Sequence, residues 1–252
     1  MAQLTDSPKT PPQRRELYFF TLYRVLEACL LALVAEVSPA LRVRFSTSHP
    51  KDMTDKVLAT MARYPNIGKY IHLPVQSGST RVLQLMNRTY TREWYLAKVA
   101  RIKEIMPTCT VSSDIIAGFC TETEQDHQDT ISIMQAAQYD YSYMYFYSER
   151  PGTLAARRYE DDVDLVTKKR RLQEIVDAQW TLSNESNKRD VGSVFEVLIE
   201  GNSKRNEAEW MGRTSQNKVV VFPKGNFNYQ KGDYAQVKIQ DFTKGTLLGS
   251  II

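Results

Sequence analysis

Short β-prone runs that end abruptly in polar residues recur along this chain, each followed by a segment of helical length. That alternation limits the fold more than any other feature. Leu41 to Ser46, Ile71 to Gln76, Cys109 to Ile116 and Tyr141 to Tyr147 read as strands. Between them Met53 to Arg63, Thr80 to Met86, Thr91 to Met106 and Glu122 to Ala137 read as helices, and Thr91 supplies a capping hydroxyl at one start. Strands alternating with helices imply right-handed βαβ units in a mostly parallel sheet, here of about four strands. Ligands in such folds gather where strands stop in turns. Tyr70 to Ser79 is such an edge, and Arg42 to Pro50 and Val111 to Gly118 are its companions, with hydroxyl, imidazole or carboxylate groups in or just after them.

The pattern changes after Tyr159. Val163 to Ser186 is a long helical stretch with a basic cluster at Lys168, Lys169, Arg170 and Arg171. From Ser193 the chain reads as all-β: Val194 to Ile199, Trp210 to Thr214, Lys218 to Phe222 and Tyr234 to Ile239 are short strands between Gly, Asn and Pro turns. That spacing suits a small five-stranded barrel of the oligonucleotide-binding kind, with a boundary near Asp190.

At 252 residues and 42% hydrophobic content the chain can bury a substantial core, and a net charge of +4 suits an anionic partner without demanding one. Three widely spaced cysteines, Cys29, Cys109 and Cys120, argue against a disulfide framework and for a reducing cytosol, so a cytoplasmic location is expected. Leu17 to Val37 is rich in Leu, Phe, Tyr and Ala, but Arg24 and Glu27 interrupt it, so it reads as a buried or half-buried helix and not a membrane span, with an interfacial helix as the alternative.

Several ordered motifs then resemble one family. They are Phe45-Ser-Thr-Ser-His-Pro-Lys-Asp-Met53, His72-Leu-Pro-Val-Gln-Ser-Gly-Ser79, Met86-Asn-Arg, Tyr90-Thr-Arg-Glu-Trp-Tyr95 and Tyr147-Ser-Glu-Arg-Pro-Gly-Thr153. Together they resemble the radical S-adenosylmethionine tRNA methylthiotransferases, in the branch that methylthiolates dimethylallyl-adenosine beside the anticodon. Gly212-Arg-Thr-Ser-Gln-Asn-Lys-Val-Val-Val-Phe222 is similar to the core of a TRAM domain, the RNA-binding barrel that ends these enzymes.

The resemblance implies a partial (β/α) radical-SAM barrel followed by a TRAM barrel, acting on tRNA with S-adenosylmethionine and [4Fe-4S] clusters. It divides the chain into an unmatched leader at 1–24, a partial radical SAM domain at 25–162, a connecting helix at 163–189 and the TRAM barrel at 190–252. The family holds its radical cluster on a CxxxCxxC loop, which this sequence does not contain, and a second cluster in an N-terminal domain. The chain therefore reads as the C-terminal part of such an enzyme, without catalytic or metal-ligating residues of its own. It is expected not to assemble a cluster alone. A non-catalytic RNA-binding protein is the alternative.

Cofactor contacts are expected from Gln76, Ser77, Ser112 and Asp114 at strand ends, from Gly118, whose small size would let backbone approach an adenine, and from Arg150, suited to a carboxylate or phosphate. Asp114 suits ribose hydroxyls or the methionine amino group. RNA contacts are expected from Lys204, Arg205, Arg213, Asn217, Lys218 and Lys224, with stacking on Phe222 and Trp210. His49, His72 and Asp114 lack the spacing of a metal site, and His127 reads as a solvated surface residue. Tyr139, Tyr141, Tyr143, Tyr145 and Tyr147 alternate along one face, which is read as packing on the core. With four barrel strands, the Leu41 to Ser46 strand would present an unpaired edge prone to self-association unless Leu17 to Val37 covers it.

Overall fold

The structure, a computed structural model, describes residues 16–20, 27–46 and 49–252. The polar segment 1–15, most of the expected leader, lies outside the described residues. Five parallel strands follow one another in chain order. Strand β1 (Glu16–Phe20) pairs with β2 (Arg42–Ser46), and α1 (Glu27–Val37) connects them. Helix α2 (Asp55–Arg63) leads to β3 (Tyr70–His72), α3 (Thr80–Leu85) and α4 (Arg92–Ile105) lead to β4 (Thr110–Ala117), and α5 (Glu124–Ala137) leads to β5 (Tyr141–Phe146). The bridge Val43↔Ile67 joins β2 to the loop before β3, and β3, β4 and β5 form one parallel sheet. The four expected strands are thus present in the expected direction.

The fifth strand, β1, arises within the segment read as apolar helix. Paired residue by residue from Glu16↔Arg42 to Phe20↔Ser46, it covers the β2 edge that had been expected to stand open. The argument for self-association through that edge therefore falls away.

Helix starts follow their caps. Thr54, Ser79, Thr91 and Thr123 each accept a backbone N–H three residues on, at the starts of α2, α3, α4 and α5. Beyond β5 a short α6 (Leu154–Arg158), too brief to show a period, precedes the 26-residue α7 (Leu165–Asp190). The basic cluster of α7 splits by face: Lys168 and Arg171 point inward to Asp161 and Glu122, while Arg170 pairs with Glu124 and Glu174 nearer the surface.

The last part is a closed five-stranded barrel in the order β10-β8-β7-β6-β9, made of β6 (Val194–Asn202), β7 (Glu209–Arg213), β8 (Val219–Pro223), β9 (Tyr234–Thr243) and β10 (Thr246–Ile251). Its core includes Val197, Ile199, Val220, Phe222, Val237 and Leu247. A larger core under the parallel sheet joins Leu58, Met61, Ile71, Tyr95, Ile102, Ile115 and Tyr139.

The barrel docks on the N-terminal ends of the parallel strands. The Lys69 backbone N–H donates to Ser215 Oγ at 3.2 Å, Thr110 Oγ1 donates to the Gln216 carbonyl at 2.6 Å, and Arg44 reaches the Thr214 carbonyl. Around this turn Arg42 pairs with Glu196, Arg44 with Glu200, and Lys218 with Asp190. Gly68 sits so close to the turn that a Cβ there would stand 3.2 Å from the Ser215 carbonyl oxygen.

One carboxylate ties the starts of α3 and α5 together. Asp126 completes a capping box with Thr123, accepts from Ser79 Oγ and pairs with Arg81. Burial works to raise its pKa, but Arg81, Ser79 and Thr123 together hold it well below the ordinary value of 3.8. A depressed folded-state pKa contributes stability that is complete above the unfolded value and lost as pH falls through the folded one. We expect Asp126→Asn to lower stability at neutral pH and to flatten the loss of stability below about pH 4, measured by urea unfolding at stepped pH; an unchanged acid limb would refute this.

Candidate functional site

The C-terminal ends of β3, β4 and β5 border a cavity of about 780 Å³, within the range of small-molecule and cofactor sites. Gln76, Arg88, Asp114, Ile116, Tyr145 and Arg150 are among its walls. Gln76 adopts φ of 73°, an uncommon left-handed conformation for a side-chain-bearing residue. Its backbone extends β3 beyond His72: Gln76 N–H donates to the Asp114 carbonyl and Ile116 N–H donates to the Gln76 carbonyl, both at 2.9 Å.

The pleat of β4 turns Ser112, Asp114 and Ile116 toward this interior. Below the cavity a continuous polar chain crosses three strands. The hydroxyls of Tyr141 and Tyr70 lie 2.6 Å apart, Tyr70 reaches Ser112 Oγ at 2.6 Å, Ser112 reaches His72 Nδ1 at 2.8 Å, and His72 Nε2 lies 3.4 Å from Asp114. The Tyr143 ring meets His72 edge-on. Burial raises the Tyr70 phenol and takes that of Tyr141 up to about 12, while the hydrogen bond with Tyr141, more than burial, takes Tyr143 to about 12. These phenols stay protonated at neutral pH, so the chain links neutral hydroxyls through the His72 ring to one carboxylate at the cavity wall.

The expected cofactor residues separate on this geometry. Gln76, Asp114 and Arg150 border the cavity. Ser112 is fully buried in the chain beneath it. Ser77 is fully buried elsewhere, bonded to the Ser79 N–H and beside Thr130, and so shapes the turn into α3. Gly118, at φ +68°, is open to no adenine: a Cβ there would meet Lys168 Cγ at 2.4 Å, so the side chain of Lys168 fills the space.

The tyrosine alternation also sorts differently from a core face. Tyr139 precedes β5 and is buried, but Tyr141, Tyr143 and Tyr145 line the interior, and the last two are 47% and 57% exposed. The opposite face of β5 meets the helices through Ser142, which donates to Gln179 of α7, and Met144.

Sequence reasoning missed the hydroxyl–imidazole chain. The signal was present as period-two pairs, Tyr70/His72, Ser112/Asp114 and Tyr141/Tyr143, which a common register puts on one face. His127 is the converse error. It is 1% exposed, with Nε2 2.6 Å from Glu174 Oε2, because α7 packs over the face of α5 that reads as polar. Glu124, His127 and Glu174 lie close enough to hold a cation, but Arg170 bonds both carboxylates and supplies the positive charge.

The cysteines do not fit a cluster. Cys29 is exposed on α1, while Cys109 and Cys120 flank β4, whose eight residues span about 26 Å. Burial pushes the Cys109 thiol up to about 12 and raises that of Cys120, whereas ligation needs converging thiolates. No step is assigned through a cluster held by these three.

The expected RNA residues divide as well. Lys204 and Arg205 are exposed in the β6–β7 loop. Phe222 is 1% exposed inside the barrel and offers no face to a base. Lys218 bonds Asp190 and Ser186 where the barrel docks, Arg213 is held by Glu200 and the Asn217 carbonyl, and Asn217 forms that turn at φ 64°.

Residues 10–134 match the Radical SAM superfamily and residues 188–252 match the TRAM domain. Among solved structures, coproporphyrinogen III oxidase (HemN) from Escherichia coli, a radical SAM enzyme, superposes with a TM-score of 0.52 at 16% identity. The match covers 86% of this chain and 51% of that one, and it supports the fold alone. Fold and matches together define a radical SAM α/β unit carrying a TRAM barrel. The tRNA-2-methylthio-N(6)-dimethylallyladenosine synthase of Amoebophilus asiaticus is 62% identical over 225 residues, and that of Phocaeicola vulgatus 54% identical over 220. These matches cover 89% and 87% of this chain but 46% and 48% of those proteins, so the chain spans about half the length of the curated relatives it matches. The chain belongs to the radical S-adenosylmethionine tRNA methylthiotransferase family.

Removing the Tyr70 hydroxyl leaves Ser112 short of a partner and breaks the link to Tyr141. Tyr70→Phe is expected to cost about 1–3 kcal/mol in urea unfolding. A change of a few tenths would show that the chain contributes no stability.

Proposed function

We propose that this chain supplies the S-adenosylmethionine-binding and tRNA-binding parts of a cytoplasmic methylthiotransferase, one that adds a methylthio group to C2 of dimethylallyl-adenosine next to the anticodon. The observation that carries the reading is Asp114, a half-buried carboxylate at the wall of a cofactor-sized cavity, backed by the hydroxyl–imidazole chain and flanked by Gln76 and Arg150. In this reading Asp114 accepts from the ribose hydroxyls or the ammonium group of S-adenosylmethionine, and Arg150 meets its carboxylate at the rim. The bound cofactor would supply the methyl group and, reduced at an iron–sulfur cluster, the radical. The chain's own residues bind and orient, and Tyr143 and Tyr145 wall the interior beside the cofactor.

The dispersed cysteines favour one second reading, an RNA-binding protein without catalysis. Isothermal titration of the chain with S-adenosylmethionine separates the two. We expect binding, weakened roughly 10- to 100-fold in Asp114→Asn, the scale of a hydrogen bond to a charged group. Equal affinity in the variant would remove Asp114 from the site. Absence of heat with the unaltered chain, alongside binding of tRNA, would favour the second reading.

A further inference from the structure

The β7–β8 turn bears the residues that most resemble a TRAM core, and it is occupied by the α/β part: Thr214, Ser215 and Gln216 bond strand ends, and Lys218 is held by Asp190. We propose that the opposite end of this hairpin is the RNA-holding face, a stacking platform for unpaired nucleotides formed by Phe227 on Tyr229, with Lys224 held over Trp210 and Lys204 and Arg205 around it; this rests on the tRNA reading above.

Strands β7 and β8 are five residues each, so the end where Glu209 pairs with Pro223 stands about 17 Å from the docking turn. Two loops meet there, 203–208 and 224–233, tied by Lys224 N–H donating to the Ala208 carbonyl at 3.0 Å. Lys224 Nζ lies 4.5 Å above the Trp210 ring. Gly225, at φ +56°, turns the chain so that Phe227 folds back against it, 3.4 Å from where a Cβ would stand. The rings of Phe227 and Tyr229 stack at 5.8 Å and 29°. Tyr229 packs on the barrel core and fixes the pair, while Phe227 is 52% exposed. A phenyl ring held by an anchored neighbour yet half open to water is suited to receive a base on its free face.

Charge is secondary here. Lys204, Arg205, Lys224 and Lys231 face Glu207, Glu209 and Asp233 in the same two loops and their edges, four cations against three carboxylates. Stacking on such a weakly positive surface favours loops and single strands over duplexes, whose base faces are covered, and gives a shallow salt dependence.

Fluorescence anisotropy of a labelled short single-stranded RNA with the full chain tests this, with unmodified tRNA as a second probe. Phe227→Ala is expected to weaken binding about 5- to 100-fold while leaving the thermal unfolding midpoint unchanged, and Phe227→Tyr to restore it. A duplex of the same sequence is expected to compete poorly. Binding unchanged in Phe227→Ala, or equal competition by duplex, would overturn the platform while leaving the tRNA reading intact. Failure of the unaltered chain to bind either probe would overturn both.

Discussion

Strand β4 is hydrogen-bonded along both edges, to β3 and to β5, and its pleat sends Val111, Ser113, Ile115 and Ala117 one way and Ser112, Asp114 and Ile116 the other. The first face lies in the core beneath the helices, where Ser113 is tolerated because it donates to the Leu73 carbonyl and accepts from Val75 N–H. The second would carry the penalty of buried polar groups, about 1–3 kcal/mol for each one left unpaired, without partners delivered by the neighbouring strands. Tyr70, His72 and Tyr141 are those partners, so the register of three strands and the polarity of the cavity floor are one constraint seen from two sides.

The same logic governs the lower edge of the sheet. The Lys69 N–H and Thr110 hydroxyl at the strand starts find acceptors in the β7–β8 turn, and two arginines of β2, nearly without solvent, find Glu196 and Glu200 on the barrel. Charges taken out of water need such partners to remain buried. The barrel thus supplies hydrogen-bond partners to the α/β part, and the turn residues that resemble an RNA-binding motif act between the two parts.

Much of the architecture was legible because it rests on local periodicity. The strands at Leu41, Ile71, Cys109 and Tyr141 and the helices capped by Thr91 and Thr123 were readable within a few residues of their observed bounds. Strand β1 was not, because an apolar run carries no mark of the distant edge that will pair with it. Alternation showed that the tyrosines share a face but not which face meets the helices. The pairings of Lys218 with Asp190, Arg171 with Glu122 and His127 with Glu174 join residues 28 to 49 apart in sequence, so one-dimensional reading left those side chains as solvated or ligand-seeking. The place of Asp114 and Gln76 on the cavity wall was legible because strand ends are where α/β folds expose polar groups.

Helix α7 links both ends of this arrangement. Near its start Lys168 packs over Gly118 beside the cavity edge, and at its end Asp190 grips Lys218 of the barrel. Twenty-six residues of helix are about 39 Å long. The helix acts as a caliper fitted to a gap that is already set, because the barrel also sits on the strand starts through Ser215 and Gln216. One turn more or less, about 5.4 Å, would carry Asp190 away from Lys218 while those contacts stayed in place, so the count of turns in α7 is matched to the docking.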